Sequence, residues 1–243
     1  MLPMESRPHP LAGHPQAIGQ ELPALLGSID VAQRLDVLKL HGWLRHRDPA
    51  TDDDVLVPKP FFGDLLLFLQ DAHGPYCVNW TIKDKAAAFG RSLNLRRRVR
   101  NPESDGQAAL ARHAIEEQMY LDAGIRTVRV VAETIPDRLD ANLRVLLINH
   151  RCLNPLPADI ERELEDRLRA AMRTSMPPQA VLLAVTHRHG VAYQDVRQAF
   201  FRLIWERRPK VELIEEDLFI DRPLVPERID LLKRFSHLFD REA

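Results

Sequence analysis

Asp64 and Lys83 are the residues whose types and spacing point most directly to chemistry. Asp64 lies in FFGDLLLFL, an apolar run typical of a buried strand, and Lys83 ends VNWTIK, a β-branched and aromatic run typical of a second strand. If these strands pair as neighbours, both side chains reach one edge of the sheet. A carboxylate can hold a divalent cation near a scissile phosphate, and a lysine can orient water or stabilise developing charge. The pair therefore indicates cleavage of a phosphodiester.

Thr81 occupies the position where this chemistry usually has a second acid. The widespread nuclease pattern is an Asp, a hairpin and then acid-x-Lys, with the acid and the lysine on one strand face. The hydroxyl of Thr81 is a weaker, neutral ligand, so the motif is incomplete by spacing alone. In the alternative interpretation, neither residue is catalytic: Asp64 stabilises a turn or caps an element, and Lys83 is a solvent-exposed charge. We favour the catalytic interpretation, because an acid among Phe and Leu side chains is costly to bury unless a cation or metal meets it.

Periodicity along the first two thirds of the chain predicts the elements that position this pair. Two short helices are expected from Glu21 onward, and RHRDPATDDD is expected to be a polar loop. After the two strands, a helix ends at Gly124, TVRVVAE forms a third strand, and Pro136 opens another helix. We predict an α/β domain with a mixed sheet at residues 1–153, whose first 18 residues, rich in Pro, His and Gly, form a flexible arm.

The last third of the chain predicts a second, mostly helical domain at residues 154–243. Three helical stretches follow the linker LNPLPAD, and the segment KVELIEEDLFI then has the composition of a strand. Three helices followed by a strand are the order of a winged-helix module, although the same order suits a plain helical bundle.

The segment at residues 115–147 also resembles the catalytic domain of the TnsA family, the endonuclease subunit of heteromeric transposases. In that family an acid-bearing helix ends in a bulky aromatic and a Gly-Ile turn, an apolar strand ends in a Thr- or Glu-containing loop, and a helix carries Asn. Here these parts are Glu116, Tyr120, Gly124-Ile125, VRVVAE and Asn142. The resemblance extends back over the two strands and, more weakly, forward through the C-terminal helices.

This resemblance implies a restriction-endonuclease-like fold that uses magnesium, or manganese in its place, to nick DNA at the 5′ ends of a transposon. An integrase-type transposase would cut the 3′ ends, and a regulatory AAA+ ATPase would be a further partner. By position, Asp64 would be the central metal ligand, Lys83 the catalytic lysine and Glu116 an additional acid. The acid on the family's early helix would be Glu21, a further metal ligand. Thr81 stands where the family has a carboxylate or glutamine, which puts that metal position in question.

Two groups of arginines are candidates for binding the DNA backbone, since guanidinium groups neutralise phosphates. The run RSLNLRRRVR follows the second strand, and further arginines lie on the third C-terminal helix, which would enter the groove in a winged-helix fold. A solvated charge run is the alternative for the first group, and nearby acids make protein contact an equal alternative for the second. The candidates are Arg91, Arg96, Arg97, Arg98, Arg100, Arg197 and Arg202.

Composition limits the class of protein. The 34 Lys and Arg residues nearly balance the 35 Asp and Glu residues, so a formal charge of -1 gives no global attraction to nucleic acid. The two cysteines do not suggest a disulfide framework, and no apolar run suggests a signal peptide or a membrane span. We expect a soluble cytoplasmic protein that associates with the nucleoid when active and with no membrane.

Two other functions remain open. The protein could be a catalytically weakened subunit that binds DNA and bridges the transposase to the ATPase, since Thr81 weakens the predicted metal site. It could also be a stand-alone restriction-type nuclease, which would cut DNA without partner proteins.

Overall fold

The protein divides into two compact units between Glu133 and Thr134. The structure is a computed structural model that describes residues 1–50, 52–91, 101–151 and 153–242. The N-terminal unit comprises Met1–Glu133 with Ser236–Ala243, and the C-terminal unit comprises Thr134–Phe235. This division differs from the predicted boundary at residue 153, because the helix that follows Pro136 contributes its apolar face to the C-terminal core.

The N-terminal unit combines strands with two α-helices and short 3-10 helices. The helices are α1 (Ser28–Arg34) and α2 (Pro102–Asp122), and the strands are β1 (Trp43–Arg47), β2 (Asp54–Pro58), β3 (Leu65–Asp71), β4 (Gly74–Lys83) and β5 (Arg126–Val131). The 3-10 helices are Pro15–Ala17, Leu38–Leu40, Ala86–Gly90 and Ser236–Leu238, and Ala132–Thr134 follows β5 at the unit boundary.

A mixed three-stranded sheet is the centre of this unit. Strand β4 pairs antiparallel with β3, with Leu65 opposite Trp80, and parallel with β5, with Lys83 opposite Val131. A parallel pair needs a long crossover connection, which here contains α2. The three predicted strands and the α/β class with a mixed sheet are therefore confirmed, and β4 is the central and most buried strand.

The stretch predicted to be a polar loop, RHRDPATDDD, connects the two strands of a β-hairpin and contributes residues to both strands. Strands β1 and β2 pair antiparallel, from Trp43 opposite Pro58 to Arg47 opposite Asp54. Every residue of β1 is exposed. A strand with no buried face has no reason to alternate apolar and polar residues, so this hairpin leaves no periodic signal in the sequence.

The predicted flexible arm is packed into the N-terminal unit. Leu2 and Leu11 are buried in its core, and the backbone N–H of Leu2 donates to the carbonyl of Phe61 at 2.8 Å. Arg7 and Leu25 exchange backbone hydrogen bonds at 2.9 Å in an isolated bridge. Single buried apolar side chains, which do not recur at a regular spacing, hold this segment. The Pro, His and Gly content therefore wrongly indicated a flexible arm. The helix expected from Glu21 also begins later, at Ser28.

Helix α2 begins and ends at signals that the sequence contains. The Asn101 side chain accepts a hydrogen bond from the backbone N–H of Ser104 at 3.2 Å, which caps the first turn. At the other end Gly124 adopts φ of +71°, and the N–H of Ile125 donates to the carbonyl of Tyr120 at 2.8 Å. The predicted helix end at Gly124 is confirmed.

The C-terminal unit is helical in its described residues. Its core surrounds Phe200 and includes Leu164, Leu182 and Leu203. Nowhere in the described ranges is a helix both long and apolar enough to cross a membrane. The helices of the C-terminal unit are α3 (Asp137–Asn149), α4 (Ala158–Thr174), α5 (Pro178–His189), α6 (Tyr193–Trp205) and α7 (Leu231–Arg234).

The strand predicted in KVELIEEDLFI does not form, and the structure has only an isolated bridge between Val211 and Pro226 there. The facing segment, RPLVPE, contains two prolines, which cannot donate to a strand ladder. Side chains form hydrogen bonds with several backbone groups of this segment instead. The carboxylate of Glu212 accepts from Ile214 N at 2.9 Å, and the Asn142 amide donates to the carbonyl of Leu213 at 2.9 Å. The helical part of the prediction is confirmed, and the strand is wrong.

Candidate functional site

Asp64 and Lys83 form an ion pair at one end of the central sheet. Asp64 immediately precedes β3, and Lys83 is the last residue of β4. Lys83 Nζ lies 3.1 Å from Asp64 Oδ2 and also donates to the carbonyl of Ile82 at 2.9 Å. The same carboxylate oxygen accepts from Ile82 N at 2.7 Å. Lys83 is buried, so this pairing compensates a charge that would otherwise be costly to remove from water.

Glu116 on α2 is the second acid of this region. It is fully buried, and Asn79 Nδ2 of β4 donates to its Oε1 at 3.3 Å. Burial raises the pKa of Glu116, and the Asn79 hydrogen bond and the Arg112 charge lower it. The charge of Asp64 also raises this pKa, whereas Lys83 lowers it, so the two acids and the lysine share one electrostatic environment.

Asn79, Thr81 and Lys83 alternate along β4 and therefore lie on one face of the strand. All three are buried, which is unusual for a polar row in the centre of a sheet. Asn79 Oδ1, Thr81 Oγ1 and Glu116 Oε2 are buried and have no hydrogen-bond partner within the part of the chain that the structure describes. Buried polar atoms are normally hydrogen-bonded, so these three oxygens could accept a hydrogen bond or coordinate a cation.

The chemistry of these donors fits a hard divalent cation. Magnesium prefers oxygen ligands, usually one or two carboxylates with water. All three unpaired atoms are oxygens, and one belongs to the Glu116 carboxylate, whose pKa responds to the charge of Asp64. Over residues 1–50, 52–91, 101–151 and 153–242, no three His, Cys, Asp or Glu side chains meet as a metal cluster. The oxygens that could hold a cation are those of the Asp64 and Glu116 carboxylates, the Asn79 amide and the Thr81 hydroxyl.

A cleft of about 360 Å³ opens beside the ion pair. Among the described residues of its wall, Asp64 is the only acid and the cations outnumber it, so the cleft suits an anionic ligand. Its walls are otherwise largely apolar. The charged residues that line it are Lys59, Asp64, Lys83, Arg91 and Arg112, together with His113.

His113 is a buried residue of this cleft that the sequence analysis did not select. Its ring lies 5.4 Å from the ring of Phe89, between centroids. Burial, together with the nearby charges of Arg112, Lys83 and Arg129, lowers the pKa of His113 to about 4. The imidazole is therefore neutral at pH 7. The sequence contained one signal for it, since His113 and Glu116 are three residues apart and share a face of α2.

Several predicted site residues come together here, and Glu21 does not. Asp64, Lys83, Glu116 and Thr81 belong to the site described above. Glu21 is exposed in a non-helical segment and lines a different pocket beside Pro75–Cys77, at the opposite end of β4. Glu21 is therefore not brought to the end of the sheet that holds Asp64 and Lys83, because it lies in a non-helical segment near the start of β4.

The predicted DNA-binding arginines have different environments. Arg91 is exposed at the cleft, whereas Arg96, Arg97, Arg98 and Arg100 lie outside the described residues.

The two candidates on α6 are engaged within the C-terminal unit. Arg202 forms an ion pair with Glu161, and the Arg197 guanidinium lies 4.9 Å from the Phe201 ring centroid. Asn142, part of the family pattern, lies in the same unit and binds backbone groups rather than the site.

These observations define an α/β protein with a mixed sheet and a polar, partly unsatisfied site at one sheet end. Compared with models of known protein families, the sequence matches none, and a comparison with curated proteins also gives no match.

Proposed function

We propose that this protein is a magnesium-dependent DNA endonuclease and the nicking subunit of a heteromeric transposase, cleaving at the 5′ ends of the transposon. The meeting of Asp64, Lys83 and Glu116 beside three unpaired buried oxygens carries the proposal. A phosphodiester hydrolase needs this combination of carboxylates for a cation and a lysine for developing charge. We further propose that the mixed sheet belongs to a restriction-endonuclease-like fold.

The chain's own residues would divide the work. Asp64 and Glu116 would hold Mg²⁺ or Mn²⁺, with the oxygens of Asn79 and Thr81 as neutral ligands. The bound ion would polarise the phosphate and lower the pKa of a ligated water. The ammonium of Lys83, fixed by Asp64 and the Ile82 carbonyl, would donate to a phosphate oxygen.

The cations of the cleft would bind the DNA backbone. Lys59, Arg91 and Arg112 line it, and each could neutralise a phosphate without reading sequence. We propose that the arginine run continuing from Arg91 extends this contact. Affinity should therefore fall steeply as salt concentration rises.

We propose that the C-terminal unit binds partner proteins, namely the integrase-type transposase or the regulatory AAA+ ATPase. Two arginines on or directly after α6 are already paired with acids, since Arg202 pairs with Glu161 and Arg207 pairs with Glu227 at 2.7 Å. A cytoplasmic protein that joins the nucleoid when active would suit these partners.

The test is magnesium-dependent nicking of transposon-end DNA by the full chain with its transposase partner. Asp64→Asn is preferable to Asp64→Ala, because it retains an oxygen that can accept from Ile82 N and disturbs buried Lys83 less. We expect Asp64→Asn and Glu116→Gln to reduce the nicking rate by about 100-fold or more. The matched control is Glu117→Gln, since Glu117 pairs with Arg129 at the surface and should change the rate by no more than about twofold.

The binding and assembly function is the second candidate, favoured by Thr81 in place of an acid. If wild type and Asp64→Asn are equally inactive yet both assemble with the transposase, the endonuclease proposal fails and this candidate replaces it. A stand-alone nuclease is the third, and it would nick DNA at full rate without the transposase.

A further inference from the structure

Phe62 is a large aromatic side chain exposed at the wall of the proposed catalytic cleft. Its exposed fraction is 62%, whereas that of its neighbour Phe61 is 8%. Phe62 lines the cleft together with Asp64 and Lys83, and only Gly63 separates it from the acid. Single exposed apolar residues are common on protein surfaces, so position rather than exposure alone makes Phe62 informative.

The backbone holds Phe62 in this position from both sides. Arg112 Nη2 donates to the carbonyl of Phe62 at 2.8 Å, and Leu2 N donates to the carbonyl of Phe61 at 2.8 Å. On the other side, a Cβ added at Gly63 would lie 3.2 Å from Glu116 Oε1, so this segment passes closely along α2. The exposed ring is therefore presented by a constrained segment.

Charge around the ring indicates the class of ligand. Lys59, Arg91 and Arg112 line the same cleft, and this cationic excess suits a polyanion rather than an apolar peptide. An aromatic face beside phosphate-binding cations is the arrangement by which proteins hold single-stranded nucleic acid, because every base has a face that can stack. A base within an intact duplex is stacked on both sides and cannot offer that face.

We infer that Phe62 stacks on an unpaired base of the DNA substrate, so that the cleft prefers DNA in which a nucleotide beside the scissile phosphate is unstacked. This inference rests on the proposed nuclease function and adds a substrate preference to it. Phe62 contributes a stacking face, while Asp64, Lys83 and Glu116 serve the phosphodiester.

Binding of two DNA probes by the full chain tests this inference, with EDTA present so that no strand is cut. One probe is a fully paired duplex, and the other has the same sequence with one unpaired 2-aminopurine. We expect wild type to bind the bulged probe at least about 5-fold more tightly and to change its fluorescence, since stacking on one aromatic contributes a factor of about 5 to 150.

Matched variants assign the effect to the ring. Phe62→Ala should bind the two probes equally and lose the fluorescence change, whereas Phe62→Trp should retain both. Phe68→Ala is the control, because Phe68 has an exposed fraction of 59% on β3 and does not line the cleft. Circular dichroism of each variant checks that the fold is retained.

Three results would overturn the inference, and they are distinguishable. If the protein nicks DNA but Phe62→Ala and Phe68→Ala bind both probes like wild type, the stacking role fails and the nuclease proposal stands. If Phe62→Ala weakens only assembly with the transposase, the ring contacts protein rather than DNA. If wild type neither binds nor nicks any DNA, the proposed function fails together with the inference.

Discussion

His113 makes stability at acidic pH depend on one buried imidazole. Its folded-state pKa is about 4, lowered from 6.5 first by burial and then by neighbouring cations. The unfolded chain therefore binds a proton at a higher pH than the folded chain does. The resulting stability is fully present above pH 6.5 and is lost as pH falls from 6.5 towards 4, by up to about 3 kcal/mol.

We predict that His113→Asn reduces this loss, because the unfolded state then gains no proton at that position. Urea unfolding of wild type and variant between pH 7 and pH 4 measures the difference. His46→Asn is the control, since His46 is exposed on β1 and should leave the pH dependence unchanged. Equal slopes for wild type and His113→Asn would contradict the prediction.

At the residue scale, motif spacing identified the Asp64–Lys83 ion pair. It did not identify Asn79 and His113, which also belong to the site. Asp64 directly precedes β3 and Lys83 is the last residue of β4. Because these neighbouring strands are antiparallel, predicting the two strands was enough to bring the two side chains together. The positions of Asn79 and His113 in the site depend on how α2 packs against β4. A single sequence does not reveal that packing. The alternation of Asn79, Thr81 and Lys83 was the available signal, because a buried strand rarely carries a polar row.

At the element scale, Asn142 of α3 organises the segment that was predicted to be a strand. Its Nδ2 donates to the carbonyls of Leu213 at 2.9 Å and Glu216 at 2.8 Å, and its Oδ1 accepts from Leu218 N at 2.9 Å. One side chain thus satisfies three backbone groups that a strand ladder would otherwise pair. The segment depends on this residue because it has no partner strand.

We predict that Asn142→Ala destabilises the C-terminal unit by about 3 kcal/mol or more, since buried backbone groups lose their partners. Hydrogen exchange at the Leu218 amide should accelerate with it. Asn154→Ala provides the control, because the Asn154 side chain contacts Asp195 at the surface, at 3.3 Å. Unchanged protection of Leu218 would show that the segment holds its own conformation.

Elements were predictable where local pattern and tertiary environment agree. Strands β4 and β5 and helix α2 have apolar runs, a cap and a terminal glycine that match their burial. Strand β3 forms where it was predicted, but its residues are half-buried or exposed rather than buried. The β1–β2 hairpin was missed because its strands are largely exposed, and the C-terminal strand was wrongly predicted because the prolines opposite it prevent a ladder.

At the scale of the whole molecule, residues 236–242 belong to the N-terminal unit although they follow the C-terminal unit in sequence. Trp80 Nε1 donates to the carbonyl of Leu238 at 2.7 Å, and the Tyr76 hydroxyl donates to the carbonyl of Phe239 at 3.0 Å. Arg241 binds Asp71 at 2.8 Å. Periodicity could not reveal this return, because it describes neighbours in sequence and not the unit against which a segment packs.

We predict that deleting residues 236–243 destabilises the N-terminal unit by about 3 kcal/mol, from the lost hydrogen bonds and the burial of Leu238. Thermal unfolding followed by Trp80 fluorescence, with Trp43 and Trp205 replaced by Phe, measures this unit selectively. Deleting residues 242–243 alone is the control and should leave the midpoint nearly unchanged. An identical midpoint for both deletions would contradict a structural role for the tail.

The return of this segment also sets an order of events during biosynthesis. A ribosome releases β3, β4 and β5 long before residues 236–242, with the entire C-terminal unit synthesised in between. Trp80 and Tyr76 on β4 must wait for their backbone acceptors throughout that interval. The N-terminal unit therefore lacks these contacts to its central strand until residues 236–242 have been synthesised, and it reaches its final stability only after that point.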